Sequence, residues 1–220
     1  MEDIAQNLKK IRDTLSDGVS LIAVTKTHTY RKINEAIDAG VTDIGENKVQ
    51  EILEKYDCVK PVRWHMIGHL QTNKVRQIID KVYMIQSVDS SKLAKEINKR
   101  AEQHQLIMNI LVQVSPANEE SKFGVPLEDT KELVKEILET CPNVKICGLM
   151  CVAPFADDPK DIKIYFDKVK QQYDDLAQLQ HENLEFRHLS MGMSHDYMEA
   201  MESGANMVRI GSAIFGKRVY

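Results

Sequence analysis

Lys26 stands two residues past the apolar run Leu21-Ile22-Ala23-Val24, in the context Ala23-Val24-Thr25-Lys26-Thr27. The ordinary reading of such a lysine is a solvated surface charge. At a strand end opening into an apolar-walled mouth, desolvation would instead penalise the ammonium and lower its pKa. Moving a lysine from ~10.4 towards ~7.5 corresponds to about 4 kcal/mol of differential interaction. The neutral amine is the form that condenses with a carbonyl.

A second group of residues could hold an anion. Leu189-Ser190-Met191-Gly192-Met193-Ser194 and Val208-Arg209-Ile210-Gly211-Ser212 each follow an apolar run with glycine and serine. Gly192 and Gly211 would let backbone N–H groups approach a phosphate, and Ser190 and Ser212 would add hydroxyl donors. Either segment alone reads equally well as a turn with a serine cap, and Ser194 is assigned as the cap of a helix over Asp196–Glu202. Arg209 lies between Val208 and Ile210 inside a strand, where a guanidinium needs an anion, an acceptor or an ion-pair partner.

Trp64-His65-Met66-Ile67-Gly68-His69-Leu70-Gln71-Thr72 holds two histidines four residues apart. Gly68 interrupts the strand between them, so a shared metal is not expected; His65 is assigned as an inward-facing residue and Thr72 as a helix cap. Asn47, in Gly45-Glu46-Asn47, follows the second strand and could reach the same mouth, and Lys122, in Ser121-Lys122-Phe123-Gly124, lies on the loop after the fifth strand. Cys58, Cys141, Cys147 and Cys151 form no CxxC pair. They are expected to be buried free thiols of a reducing compartment, with no metal bound.

The elements that must position these groups alternate. Ile4, Leu8, Ile11 and Leu15 make one helical stripe ahead of the first strand. Candidate strands are Leu21–Val24, Val41–Ile44, Arg63–Ile67, Val82–Gln86, Ile107–Val114, Val144–Leu149, Leu184–Arg187 and Met207–Ile210. Between them lie amphipathic patterns such as Leu93, Ile97, Ala101 behind Ser90 and Ser91; Leu127, Val134, Ile137, Leu138; and Ile162, Phe166, Val169, Tyr173, Leu176. Strict βα alternation demands a parallel sheet. Eight repeats close most naturally into an α/β fold of one (β/α)8 TIM barrel, residues 1–220, with an extra N-terminal helix. An open doubly wound sheet is the alternative, weakened by the lack of a Gly-rich turn after the first strand. Function in a barrel gathers at the carboxyl ends of its strands, and phosphates bind after the seventh and eighth. That rule brings Lys26 and the two serine–glycine segments to one place. Ser115–Pro126 and Pro154–Asp161 read as loops after the fifth and sixth strands.

Composition narrows the classes. The 220 residues carry 43% hydrophobic and 28% charged side chains and a formal net charge of -4, and the pI is about 6.0. Basic residues are scattered among acids, so no nucleic-acid partner is expected. No apolar run approaches the ~20 residues of a membrane span and the acidic start lacks a secretory layout, so a cytoplasmic protein is expected, with no membrane partner. No exposed apolar stripe is evident, which points to a monomer.

Several segments together resemble the pyridoxal phosphate homeostasis protein family, whose barrel is similar to the N-terminal domain of alanine racemase. They are Ala23–Thr27, Gly45-Glu46-Asn47-Lys48-Val49-Gln50-Glu51, Trp64–Lys74, Gly148-Leu149-Met150, Leu189–Ser194 and Val208–Gly216. The resemblance implies that pyridoxal 5′-phosphate (PLP), the active form of vitamin B6, is the cofactor and that Lys26 forms a Schiff base with it. It implies that Ser190, Gly211 and Ser212 hold the phosphate, that Arg209 faces the pyridine nitrogen and that Asn47 lines the pocket. It also implies a role in binding PLP, and other B6 vitamers, and in making it available to PLP-dependent apo-enzymes. Many relatives carry a second lysine and a proline where this chain has His28 and Thr29, so no role of that lysine transfers.

Whether such a protein turns substrate over follows from the arginine. PLP works as an electron sink best when its ring nitrogen is protonated, and an arginine only donates, which favours the unprotonated nitrogen. Racemisation also needs a proton donor on each substrate face, which alanine racemases complete with a C-terminal β-domain; the chain's end at Tyr220 leaves no expectation of one here. A carrier without robust catalytic turnover is therefore expected. A minimal PLP-dependent amino-acid racemase and a ligand-free scaffold are the alternatives, separated by chiral product assay and by the presence of PLP absorbance.

Overall fold

The apolar runs form parallel strands and the amphipathic stretches form helices that cover them. A computed structural model describes residues 3–117, 123–154 and 158–216. Among the described residues, the barrel strands are β1 (Ser20–Val24), β2 (Asp43–Glu46), β3 (Arg63–Met66), β4 (Met84–Val88), β5 (Met108–Ser115), β6 (Val144–Cys151), β7 (Leu184–Ser190) and β8 (Met207–Ile210). Each pairs in parallel with the next. β8 returns to β1 with Ile22 opposite Arg209 and Ala23 opposite Ile210, which closes the barrel. The short stretch Val125–Pro126 adds to β5 beside Val114 and Ser115.

The covering helices are α1 (Ile4–Arg12), α2 (Tyr30–Asp38), α3 (Val49–Lys55), α4 (Ser91–Gln103), α5 (Thr130–Thr140), α6 (Lys163–Leu176), α7 (Tyr197–Glu202) and α8 (Ser212–Phe215). α1 precedes the barrel and buries Ile4, Leu8 and Ile11; Leu15 lies past its end. α4 is capped by Ser90, whose hydroxyl accepts from the Leu93 amide, and it buries Leu93, Ala94, Ile97 and Ala101. Burying each large aliphatic side chain there contributes about 1.5–3 kcal/mol. Ser91 instead donates to Glu136 on α5.

The third crossover is a 3-10 helix, Thr72–Gln77, and Thr72 makes no cap bond. Leu127 and Ile162, expected as first helical residues, lie in short 3-10 turns ahead of α5 and α6. β2 and β4 begin two residues later than their apolar runs and continue into polar residues, Glu46 and Gln86–Ser87, all fully buried.

Two apolar cores follow from strand alternation. Outward-facing Ala23, Ile44, Trp64, Met66, Val208 and Ile210 pack with the helices. Inward-facing Ile22, Met84, Leu111, Cys147, Met150 and Met207 fill part of the lumen. Arg209 sits between outward-facing Val208 and Ile210 and opposite lumenal Ile22, so it faces inward. Cys141, Cys147 and Cys151 are buried free thiols; Cys58 departs from the expectation and is exposed, because it sits in a 3-10 turn after α3. Among the described residues no helix is long and apolar enough to cross a membrane, and no cluster of metal-ligating side chains is present.

Candidate functional site

Lys26 lies in the turn after β1, half-buried. It lines a recess of about 160 Å³ with Val24, Met193, Ser194, His195, Arg209, Gly211 and Ser212. The carboxyl ends of β1, β7 and β8 thus converge on one hollow. Gly211 leaves that wall bare: a Cβ there would sit 3.3 Å from both Cβ and the carbonyl oxygen of Val24. Gly192, with φ at +88°, lets the turn after β7 pass under α7, where a Cβ would lie 2.8 Å from the Tyr197 Cα.

Ser194 does not cap α7. Its hydroxyl accepts from the amides of Gly211 at 3.3 Å and Ala213 at 3.4 Å, tying the turn after β7 to the start of α8. Asp196 takes over the turn, its Oδ1 accepting from the Met193 amide at 2.5 Å. Ser194 is therefore the serine of this segment that lies in the recess. The spacing that places it four residues after the end of β7 was readable, but the competing cap assignment hid it.

Ser190 lies beneath the recess, not in its wall. Its hydroxyl donates to Gln86 Oε1 at 2.8 Å and accepts from Arg209 Nη1 at 2.7 Å. With its one proton committed, it has none left for an anion. Asn47 lies apart from Lys26, in a neighbouring hollow with Lys48, His69, Gln71 and Lys74; its Oδ1 is buried without a hydrogen-bond partner. Lys122 lies outside the described residues.

Arg209 is 4% exposed. Its Nη2 donates to the Cys151 carbonyl at 2.7 Å, so among the described residues its side-chain bonds to Ser190 and Cys151 are both to neutral acceptors. Burial pulls its pKa down, opposed by the Cys151 thiol and Asp196, and a guanidinium remains charged far above neutral pH. A buried cation on neutral acceptors, beside a recess, has donors to spare for a ligand acceptor.

Behind Lys26 is a polar cluster that the sequence did not announce. Lys55 Nζ, on α3, donates to Glu46 Oε1 at 2.8 Å, Glu51 Oε2 at 2.7 Å and the Thr25 carbonyl at 3.1 Å. Thr25 Oγ1 donates to Glu46 Oε1 at 2.7 Å, and the Thr27 amide donates to Glu51 Oε2 at 2.7 Å. Both neighbours of Lys26 are thereby gripped. Thr27 holds a φ of +69°, an unfavourable conformation for a β-branched residue. Burial raises the Glu46 pKa, opposed by Lys55 and Thr25. In sequence, Glu51 and Lys55 look like a solvated i,i+4 pair; only Glu46 at a strand end hinted otherwise.

His65 is inward and buried, as expected. It connects Asp43, at the opposite end of the barrel, to Gln86: Nε2 lies 2.9 Å from Asp43 Oδ1, and Nδ1 lies 3.0 Å from Gln86 Nε2. Arg63 also binds Asp43, through Nε at 2.7 Å and Nη2 at 2.6 Å.

A family model described as the N-terminal domain of alanine racemase matches residues 1–219. The pyridoxal phosphate homeostasis protein of Aquifex aeolicus (strain VF5) is 44% identical over 202 residues, covering 91% of this chain and 87% of that one. The solved structure of PipY from Synechococcus elongatus PCC7942, with PLP bound, superposes with a TM-score of 0.88 at 32% identity, covering 97% of this chain and all of that one. An alanine racemase of Clostridium difficile 630 shares the fold, with a TM-score of 0.78 at 18% identity over 99% of this chain and 56% of its own. The chain belongs to the alanine racemase N-terminal domain family and, within it, to the pyridoxal phosphate homeostasis proteins.

Proposed function

We propose that this chain binds PLP at the carboxyl end of its barrel, with Lys26 as the anchoring amine, and makes it available to apo-enzymes without robust turnover of amino acids. The observation that carries this reading is that Lys26, Arg209, Gly211 and Ser212 line one recess. The residues fit the cofactor's chemistry: an amine for its aldehyde, a guanidinium with donors to spare for its ring nitrogen, and a bare Gly211 wall beside serine hydroxyls for its phosphate. PipY, similar over nearly the whole chain, is solved with PLP bound.

Bound PLP supplies an aldehyde. Lys26 would hold the cofactor by condensing with that aldehyde, with loss of water. An incoming amine, such as an apo-enzyme lysine, would release it by exchange and return Lys26 to a free amine. Arg209 donates to the ring nitrogen and keeps it unprotonated, which weakens the ring as an electron sink. Phosphate contacts fall to Gly211, Ser212 and Ser194, while Ser190 acts through Arg209. Asn47 closes the neighbouring side. The acidic pI and three buried free thiols suit a monomer in the reducing cytoplasm.

Borohydride reduction after loading with PLP, followed by peptide mapping, tests the anchor. The adduct is expected on Lys26, and Lys26→Ala should lose the visible absorbance while keeping its melting transition. An adduct on a different lysine would overturn the assignment. Sustained formation of the opposite enantiomer from an L-amino acid would overturn the carrier reading in favour of a racemase.

A further inference from the structure

We propose that Gln86 and His65 are positioning residues that, through Ser190, hold the Arg209 guanidinium against the ring of bound PLP and so govern the ring's protonation from inside the barrel. The inference rests on the reading above, in which Arg209 meets that ring.

Five side chains from five strands form one hydrogen-bonded line through the lumen. Arg209 on β8 donates to Ser190 on β7 at 2.7 Å, and Ser190 donates to Gln86 on β4 at 2.8 Å. Gln86 donates to His65 on β3 at 3.0 Å, and His65 donates to Asp43 on β2 at 2.9 Å. A cation stands at one end and a carboxylate at the other, and every link points the same way.

The direction of each link follows from the carboxylate end. Asp43 Oδ1 can only accept, so His65 Nε2 carries a hydrogen. Burial favours the neutral imidazole, so Nδ1 must accept. Gln86 then has to present its NH2 to His65, which leaves its oxygen for the Ser190 hydroxyl. Ser190, having donated, offers its lone pair to Arg209. Reversing any one link leaves two donors or two acceptors face to face, so the line is all or none. In a low-dielectric lumen such bonds also polarise one another.

The consequence falls on Arg209. One arm is fixed by Ser190 and the other by the Cys151 carbonyl at 2.7 Å. These two bonds set the plane and direction of the guanidinium, and therefore where its remaining N–H groups point. If Ser190 or its supports are removed, the arginine keeps one anchor and can turn from the ring. The ring nitrogen, losing a fixed donor, takes up a proton more readily.

The test is the ring-nitrogen NMR resonance of 15N-labelled PLP bound to the full chain at one near-neutral pH. The parent protein should show the unprotonated ring. Ser190→Ala and His65→Leu should each raise the protonated fraction about threefold or more, the scale of one hydrogen bond. His65→Gln should match the parent, because its amide donates to Asp43 and its oxygen accepts from Gln86. A purely structural role would not move this resonance. An unchanged resonance in folded Ser190→Ala and His65→Leu overturns the proposal. Should His65→Leu fail to fold, Ser190→Ala, which removes a single oxygen, decides alone. Failure of the parent to form a Lys26 adduct would instead sink the PLP-anchoring reading beneath it.

Discussion

Lys55 Nζ donates to the carbonyl oxygen of Thr25, the residue before Lys26, at 3.1 Å. The side chain that braces the turn carrying Lys26, the proposed anchor, is thus a second lysine, 29 residues on, whose charge is spent on Glu46 and Glu51.

Lys55→Met should therefore have two effects. It leaves Glu46, fully buried, without its cation, and breaking such a pair costs about 3 kcal/mol at neutral pH. It also frees the Thr25 carbonyl, so PLP should leave the variant faster. The sign of the pH dependence is fixed. Burial already holds the Glu46 pKa above its ordinary value, and losing Lys55 raises it further. A raised carboxylate favours the fold below its unfolded pKa and loses that contribution as pH rises through the folded one. The stability gap between variant and parent should narrow from pH 7.5 to pH 5, read by denaturant midpoints. A gap that is constant or widens in acid contradicts the pairing.

The barrel was legible because its outward-facing strand residues are apolar and its helices amphipathic. What the pattern missed was polar. Glu46 and Ser87 lie in β2 and β4 beyond the ends that the apolar runs marked, because polar residues after such a run read as the end of a strand. Hydrophobic periodicity reports burial against apolar neighbours, whereas Glu46 is buried against Thr25 and Lys55. The recess was half legible for the same reason. Lys26, Arg209, Gly211 and Ser212 meet as strand-end logic requires, whereas Ser190 looks identical to Ser194 in sequence and differs only in facing the lumen, where Gln86 takes its proton. Lys55 was invisible because an exposed helical pair and a buried one share a spacing.

Gly148 marks where β6 must pass β7. Its φ is +140°, and a Cβ would lie 1.8 Å from the His188 carbonyl oxygen, at a register shift between the two strands. Nothing flexible can give way, since the obstacle is backbone. Gly148→Ala should cost at least about 2 kcal/mol and lower the melting temperature without changing which lysine PLP modifies. Parent-like stability would mean the strands do not approach in this way.

The thiols should separate sharply in reactivity. Cys58 is exposed, while Cys141, Cys147 and Cys151 are buried. Burial pushes the Cys151 thiol up to about 12 and raises the other two, which removes the reactive thiolate. A disulfide reagent should titrate one thiol in the native protein at pH 8, abolished by Cys58→Ser, and all four in denaturant. Rapid modification of Cys151 in the native protein would contradict its burial.

Acid should unfold the protein in two stages, and both begin on the lumenal line. Burial lowers the His65 pKa, with Asp43 opposing, and burial likewise lowers that of His188. A base with a lowered folded pKa is neutral in the fold and takes a proton on unfolding. It stabilises fully above its unfolded value of about 6.5 and progressively less below it. Asp43 differs in cause: burial would raise its pKa, but hydrogen bonds from His65, Arg63 and Thr42 outweigh that and hold it well below the usual carboxylate range. Its contribution is complete above about pH 4 and is lost as pH falls through the folded value. Glu46 acts oppositely: its raised pKa gains stability as pH falls towards the ordinary carboxylate value, which softens the first stage and is complete before the second. The melting temperature should be level from pH 8 to 7, decline below about 6.5 and fall again below about 4. His65→Gln removes the main titrating base while keeping a donor for Asp43, so the first decline should shrink and the second should remain. A His65→Gln profile that declines between pH 7 and pH 5 as steeply as the parent's would show that His65 is not held neutral, and the donor order from Arg209 to Asp43 would lose its footing.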